Sequence, residues 1–165
     1  MSWKKDSAKD FLIDPDVIKD YFDEKASLVF TEEAAKIEEE YLLKHIPLNN
    51  DLNVLDLGCG NGRWAKVLFK SLNYYVGVDF SSTFIDQAKK HFSNDKISFY
   101  CLPAQDYKEK RRFDVIFVVG LMTYMNDNEI NQMVDNIKSM LKPGGKIIVR
   151  NVTVEPNDKS RKVYD

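Results

Sequence analysis

Three glycines at alternate positions, Gly58, Gly60 and Gly62, follow a short apolar run, Val54-Leu55-Asp56-Leu57. That order leaves few folds open. The run reads as a strand, and the segment from Arg63, carrying Ala65, Val67, Leu68 and Phe69, reads as a helix. A strand passing through a glycine turn into a helix opens a βαβ unit, at the point where backbone can lie close to an adenosine-containing ligand. Glycine suits such a turn because it has no Cβ to hold a ligand off and can adopt positive φ. The same residues also suit a tight βα turn with no ligand, and their spacing alone does not choose.

Asp56 narrows the ligand. A loop that seats a pyrophosphate on a helix N-terminus should be poor in negative charge. A carboxylate two residues before the first glycine repels phosphates and suits a cation. S-adenosylmethionine carries an ammonium and a sulfonium and no phosphate. The alternative is an aspartate turned inward to brace the loop amides.

The rest of the chain alternates. Strands are expected at Asn53–Leu57, Tyr74–Asp79, Ile97–Cys101, Asp114–Val119 and Lys146–Val152. Helices are expected at Arg63–Ser71, Ser82–Phe92 and Asn128–Leu141, with room for a single helical turn between Leu102 and Arg112. Strands separated by helical patterns imply a parallel sheet with helices on both faces. The run Val115-Ile116-Phe117-Val118-Val119 fits a central strand covered on both sides. Right-handed crossovers then place every strand C-terminus along one ligand-binding edge. Before the first strand, a helix starting near Asp14-Pro15 carries Val17, Ile18, Tyr21 and Phe22. A second, with Thr31 as N-cap, carries Ala34, Ile37, Tyr41 and Leu42 and ends by Pro47.

Five segments, in order from Asn53 to Arg150, resemble class I S-adenosylmethionine-dependent methyltransferases. The glycine loop resembles their first motif, and Val76-Gly77-Val78-Asp79-Phe80-Ser81 their second strand. Ala104-Gln105-Asp106 resembles the segment after the third strand, and Phe113 to Leu121 the fourth-strand motif. Leu141-Lys142-Pro143-Gly144-Gly145-Lys146-Ile147-Ile148-Val149 resembles the final turn and strand. The resemblance implies an α/β fold, a doubly wound Rossmann-like, mostly parallel sheet. It also implies a division into an N-terminal helical lid (1–50), a cofactor-binding core (51–152) and a polar C-terminal segment (153–165). Because relatives continue with a further helix and an antiparallel strand pair, those C-terminal strands are expected to be missing here. Truncation, a partner that supplies the missing cover, or a pared-down fold would each leave them out, truncation being the expectation.

Site roles follow from the same resemblance. Gly58, Cys59, Gly60 and Gly62 would lie against the methionine and ribose portions of S-adenosyl-L-methionine, with Asp56 beneath them. Asp79 would take hydrogen bonds from the ribose hydroxyls; its other role is a helix N-cap, which Ser81 and Ser82 can also fill. Phe80 would pack on ribose or adenine, or belong to the core. Gln105 and Asp106 would meet the adenine, unless Asp106 is a surface turn residue. Val119 and Gly120 would face the cofactor from the fourth strand. Arg63 would reach the methionine carboxylate or cap nearby carbonyls. Tyr21, Thr123, Tyr124 and Asn151 are candidate acceptor contacts, although core packing is the favoured reading of Tyr21.

No general base stands out. His45 and His91, the two histidines, fall at helix ends, where a cation complements the helix dipole. Cys59 could be a nucleophile at a helix N-terminus, but a small residue filling a tight turn is the simpler reading. With two cysteines and two histidines, no metal-binding cluster is expected.

Composition bounds the partners. The 165 residues are 44% hydrophobic and 30% charged, with a net charge of −2, an ordinary one-domain balance. There is no basic excess for nucleic acid, and no apolar stretch long enough to span a bilayer. The N-terminus lacks a signal-peptide core, so the cytoplasm is the expected address. The apolar tip Leu121, Met122 and Met125 favours a small-molecule acceptor methylated on O or N, a protein acceptor being a further variant. Two rivals remain: a non-catalytic S-adenosylmethionine-binding module that needs a partner, and an NAD-dependent oxidoreductase using the glycine loop and Asp79.

Overall fold

Leu52–Leu57 forms β1, and its side chains are almost all buried, as befits a strand with neighbours and helices on every side. The computed structural model of the chain describes residues 32–46, 48, 51–92 and 94–150. After α1 (Glu32–Leu43) and β1 come α2 (Arg63–Leu68), β2 (Leu72–Asp79), α3 (Ser82–His91) and β3 (Ile97–Cys101). Then follow β4 (Phe113–Val119), α4 (Asp127–Met140) and β5 (Leu141–Arg150), with 3₁₀ turns at Phe69–Ser71, Ala104–Asp106 and Met122–Tyr124. The strands form one sheet in the order β3-β2-β1-β4-β5, and every pairing is parallel. The expected doubly wound parallel sheet is present. The reversal of strand order falls at β1 and β4, the crevice position for a ligand in open α/β sheets.

Alternation of side chains across the strands divides the core into two layers. Val54, Tyr75, Phe99, Val115, Phe117 and Ile148 face one side, against Trp64, Ala65, Leu68 and Ile85 of α2 and α3 and Leu42 of α1. Leu55, Leu57, Val76, Val78, Ile116 and Val118 face the other, against Met133, Ile137 and Met140 of α4. Those three positions recur at helical spacing, which is why α4 packs by one stripe. Its N-terminus is fixed by a capping box: the Asn126 side chain accepts from the Glu129 amide while the Glu129 carboxylate accepts from the Asn126 amide. Ser81 caps α3, accepting from Phe84 N at 3.3 Å. Asp114 ties the strand starts, accepting from Asn53 N at 2.9 Å and pairing with Lys142 at 2.8 Å.

Several boundaries move. The helix expected over Arg63–Ser71 tightens into a 3₁₀ turn after Leu68. The fifth strand begins at Leu141 rather than Lys146, because pairing with Phe113 already starts there and slips once across the glycine turn. A single helical turn does occupy the β3–β4 connection, at Ala104–Asp106. In α1, Leu42 is buried as its spacing predicts, but Ile37 and Tyr41 are 65% and 62% exposed. They line an open groove of about 460 Å³ with Glu38, Leu42, Val149 and Arg150. The expected helix around Val17 to Phe22, Thr31, Pro47 and residues 151–165 lie outside the described residues. Among the described residues no helix is long and apolar enough to cross a membrane.

Candidate functional site

The C-terminal ends of β1, β2 and β4 converge on the loop after β1. Gly58, Gly60 and Gly62 all adopt positive φ, at 79°, 53° and 88°. Gly62 is the left-handed residue that turns the chain into α2, and at such angles side chains are strained. Gly58 N and Cys59 N donate to Val78 O at 2.8 and 3.1 Å, so the loop is tied down onto β2. A Cβ on Gly58 would meet Leu121 Cβ at 3.2 Å, whereas one on Gly60 would meet nothing within 4 Å. The loop apex therefore faces open space.

Two carboxylates lie beneath it, and they are held differently. Asp79 Oδ2 accepts from Gly60 N and its Oδ1 from Ser81 N, both at 2.9 Å. Burial raises its pKa, and these two amides hold it back in part. So it is Asp79, rather than Asp56, that braces the loop amides, while Ser81 takes the N-cap role. Asp56 is 1% exposed. Its Oδ2 accepts from the Tyr75 hydroxyl at 2.6 Å, and its Oδ1 is buried with no hydrogen-bond donor among the described residues. Burial pushes the Asp56 carboxyl up to about 7; the Tyr75 bond lowers it, the Asp79 charge raises it and Arg63 lowers it.

Cys59 is buried, and its thiol points inward, donating to Gly60 O at 3.5 Å. Burial and the two carboxylates push the thiol pKa far up, so it is an inert filler of the turn, not a nucleophile. Both cysteines are free thiols. Phe80, at the end of β2, is 45% exposed and therefore not a core residue. Arg63 faces α1, where its Nη2 pairs with Glu38 at 2.9 Å and its Nε with Glu39 at 3.1 Å. Glu38 also meets Arg150 Nε at 3.1 Å, so one carboxylate joins α1 to both α2 and β5.

Gln105 and Asp106 sit on the turn after β3, clamped to α4. Gln105 O accepts from Gln132 Nε2 at 3.1 Å and Asn136 Nδ2 at 2.8 Å, and Asp106 Oδ1 accepts from Gln132 Nε2 at 3.2 Å. Val119 and Gly120 stand at the β4 tip, where Gly120, with φ 70°, donates its N–H to Arg150 O at 2.7 Å. Thr123 and Tyr124 are exposed on the following 3₁₀ turn. Tyr21 and Asn151 lie outside the described residues. His45 and His91 do fall at helix ends, His45 against the Tyr41 ring at 5.1 Å.

The sequence reading passed over Tyr75, Glu38, Gln132 and Asn136. The one signal available was Tyr75 itself, a hydroxyl in the otherwise apolar strand Tyr75-Val76-Gly77-Val78. The others act through pairings between distant segments.

Residues 54–145 match the family described as methyltransferase domain. A ubiquinone biosynthesis O-methyltransferase from Coxiella burnetii is 33% identical over 111 residues, covering 66% of this chain and 46% of that one. A tRNA U34 carboxymethyltransferase from Pseudoalteromonas atlantica is 31% identical over 126 residues, covering 73% of this chain and 38% of that one. Thus the chain spans less than half the length of either relative. Haemonchus contortus phosphoethanolamine N-methyltransferase 1, solved with phosphoethanolamine and S-adenosylhomocysteine, superposes with a TM-score of 0.70 at 24% identity, covering 97% of this chain and 36% of that one. Glycine loop, parallel sheet and match over 54–145 together show that the chain belongs to the class I S-adenosylmethionine-dependent methyltransferase family.

Proposed function

We propose that the chain is the cofactor-binding core of a methyltransferase that uses S-adenosyl-L-methionine to methylate oxygen or nitrogen of a small-molecule acceptor by in-line displacement. The observation that carries the cofactor reading is Asp56 Oδ1, a buried carboxylate oxygen without a donor, beneath a glycine loop whose apex is open. Such an atom needs a donor, and an ammonium supplies one. A pyrophosphate would meet repulsion from Asp56. Around this anchor, the Asp79 carboxylate has lone pairs left for ribose hydroxyls beyond its two amide bonds. Phe80 offers a half-exposed ring beside it, and Gln105 and Asp106, bonded to Gln132 and Asn136 of α4, are placed for the adenine edge.

Bound there, the cofactor supplies an electrophilic methyl group. The protein's task is alignment, which can account for roughly 7–11 kcal/mol of a barrier when reacting atoms are held in line. The acceptor half of the proposal rests on the β4 tip and on charge. The apolar Leu121, Met122 and Met125 lie next to exposed Thr123 and Tyr124, and the chain has a net charge of −2. The relatives' names span O-methylation in ubiquinone biosynthesis, phosphoethanolamine and tRNA, so the family alone does not select an acceptor.

Calorimetric titration with S-adenosylmethionine, S-adenosylhomocysteine and NAD tests the cofactor. Binding of the first two and not NAD is expected; NAD alone would overturn the reading.

A further inference from the structure

Tyr75 is a buried titratable side chain to which the proposed function gives no task. In the parallel β1–β2 pairing, Val54 stands opposite Tyr75 and Asp56 opposite Gly77. Alternation puts all four on one face of the sheet. Gly77 leaves a gap beside Asp56, and neighbours close over it: a Cβ there would stand 2.6 Å from the Phe99 ring and 2.8 Å from Cys59 Sγ. Tyr75, one step back on the same face, reaches across. Its ring is held edge-on to Phe99 at 5.8 Å, and its hydroxyl donates to Asp56 Oδ2 at 2.6 Å. That is a short O–H···O bond. The Ala65 amide, in the first turn of α2, faces the same hydroxyl. Phenylalanine would fill this volume; burying a hydroxyl is costly without a partner, and the partner here is the carboxylate whose other oxygen is orphaned.

We infer that Tyr75 is a positioning residue of the cofactor site: its hydroxyl fixes Oδ2 of Asp56, leaving Oδ1 to receive the ammonium of the bound amino-acid portion. The inference rests on the S-adenosylmethionine reading above and adds a pH dependence to it. The charged and titratable groups around Asp56 are Tyr75 and Asp79 of β2, Cys59 of the loop, and Arg63 of α2, itself paired with Glu38 and Glu39 of α1. The facing side chains Phe117 of β4 and Phe99 of β3 carry no charge. Burial holds the carboxyl up near 7, and the Tyr75 bond is the foremost influence lowering it. An ammonium requires the carboxylate ionised, so binding releases a proton on the acid side of neutrality. Without the hydroxyl the carboxyl stays protonated to higher pH.

The test is calorimetry on the full chain with S-adenosylhomocysteine and with 5′-methylthioadenosine, which lacks the amino-acid portion. Titrations run from about pH 6 to about pH 8.5 in buffers of different ionisation heat, which count the protons released. Unaltered protein should lose affinity for S-adenosylhomocysteine as pH falls through about 7 and release a proton on binding it; 5′-methylthioadenosine should do neither. Tyr75→Phe should keep its affinity for 5′-methylthioadenosine, bind S-adenosylhomocysteine on the order of tenfold more weakly near neutrality, and shift the pH midpoint upward. In an Asp56→Asn background, Tyr75→Phe should add no further loss. Unchanged S-adenosylhomocysteine affinity and pH profile in Tyr75→Phe would overturn the proposal. Equal loss of both ligands would also overturn it, by reducing the hydroxyl to a structural part. If the unaltered protein binds neither ligand, the cofactor reading itself fails, a result distinct from both.

Discussion

The two sides of β1 finish the sheet's ligand edge in different ways. On the β2 side, polar groups are tied to one another: loop amides to Val78 O and Asp79, the Tyr75 hydroxyl to Asp56, the Gln105 carbonyl to α4. On the β4–β5 side, the edge is joined by Gly120 N to Arg150 O, and beyond it Thr123 and Tyr124 stand exposed. Ile147 and Val149 of β5 are also 43% and 54% exposed. A fixed, internally bonded frame suits a ligand held in one pose. A margin with exposed apolar side chains suits contacts of more varied shape.

This contrast can be broken experimentally, and the largest effect lies with Asp56. Its folded-state carboxyl is raised to about 7, above an unfolded value near 3.9. Between those pH values the native state binds more protons than the unfolded one, so ligand-free stability should fall as pH rises from about 4 to about 7 and then level off. A three-unit shift corresponds to roughly 4 kcal/mol. Urea unfolding at a series of pH values should show this slope, and Asp56→Asn should reduce it to the part that Asp79, also raised by burial, contributes. A slope undiminished by the substitution would assign it elsewhere.

Next comes Asp79→Ala, which removes a carboxylate bonded to Gly60 N and Ser81 N. Each charge-assisted bond lost to a ribose hydroxyl should cost about 1.5–3 kcal/mol of S-adenosylhomocysteine affinity. An unchanged dissociation constant in a folded variant would remove Asp79 from the cofactor's contacts. Gly77→Val should cost about 1–3 kcal/mol of stability by overpacking, because Phe99 and Cys59 already occupy the space; thermal melting measures it. On the other side of the contrast, Val149→Thr should change stability by less than about 0.5 kcal/mol. A larger loss there would mean that this side is as tightly committed as the first.

Much of the fold was legible because its signals are local. The apolar run Val115 to Val119 fits a doubly covered strand and forms one, and Gly58, Gly60 and Gly62 do take the positive φ that their spacing suggests. The site was legible as a set of positions but not as a set of bonds. Nothing in the sequence says that β1 and β2 pair with Asp56 opposite Gly77, and without that register Tyr75 looks like any buried aromatic. The roles of Asp56 and Asp79 at the loop amides were open for the same reason. Ile37 and Tyr41 share the helical stripe of Leu42, yet only Leu42 reaches the core. Spacing reports which residues share a face, not how far the neighbouring strand extends beneath it.

Cys59 gives the glycine loop a clock. Its thiol is sealed beneath the turn, while Cys101, at the end of β3, is exposed. A thiol reagent can therefore modify Cys101 at once but must wait for the loop to lift before it reaches Cys59, so the ratio of the two rates reads the free energy of that local opening. A ligand seated on the loop should slow Cys59 by holding the loop down, turning an otherwise silent packing residue into a measure of how often the loop comes undone.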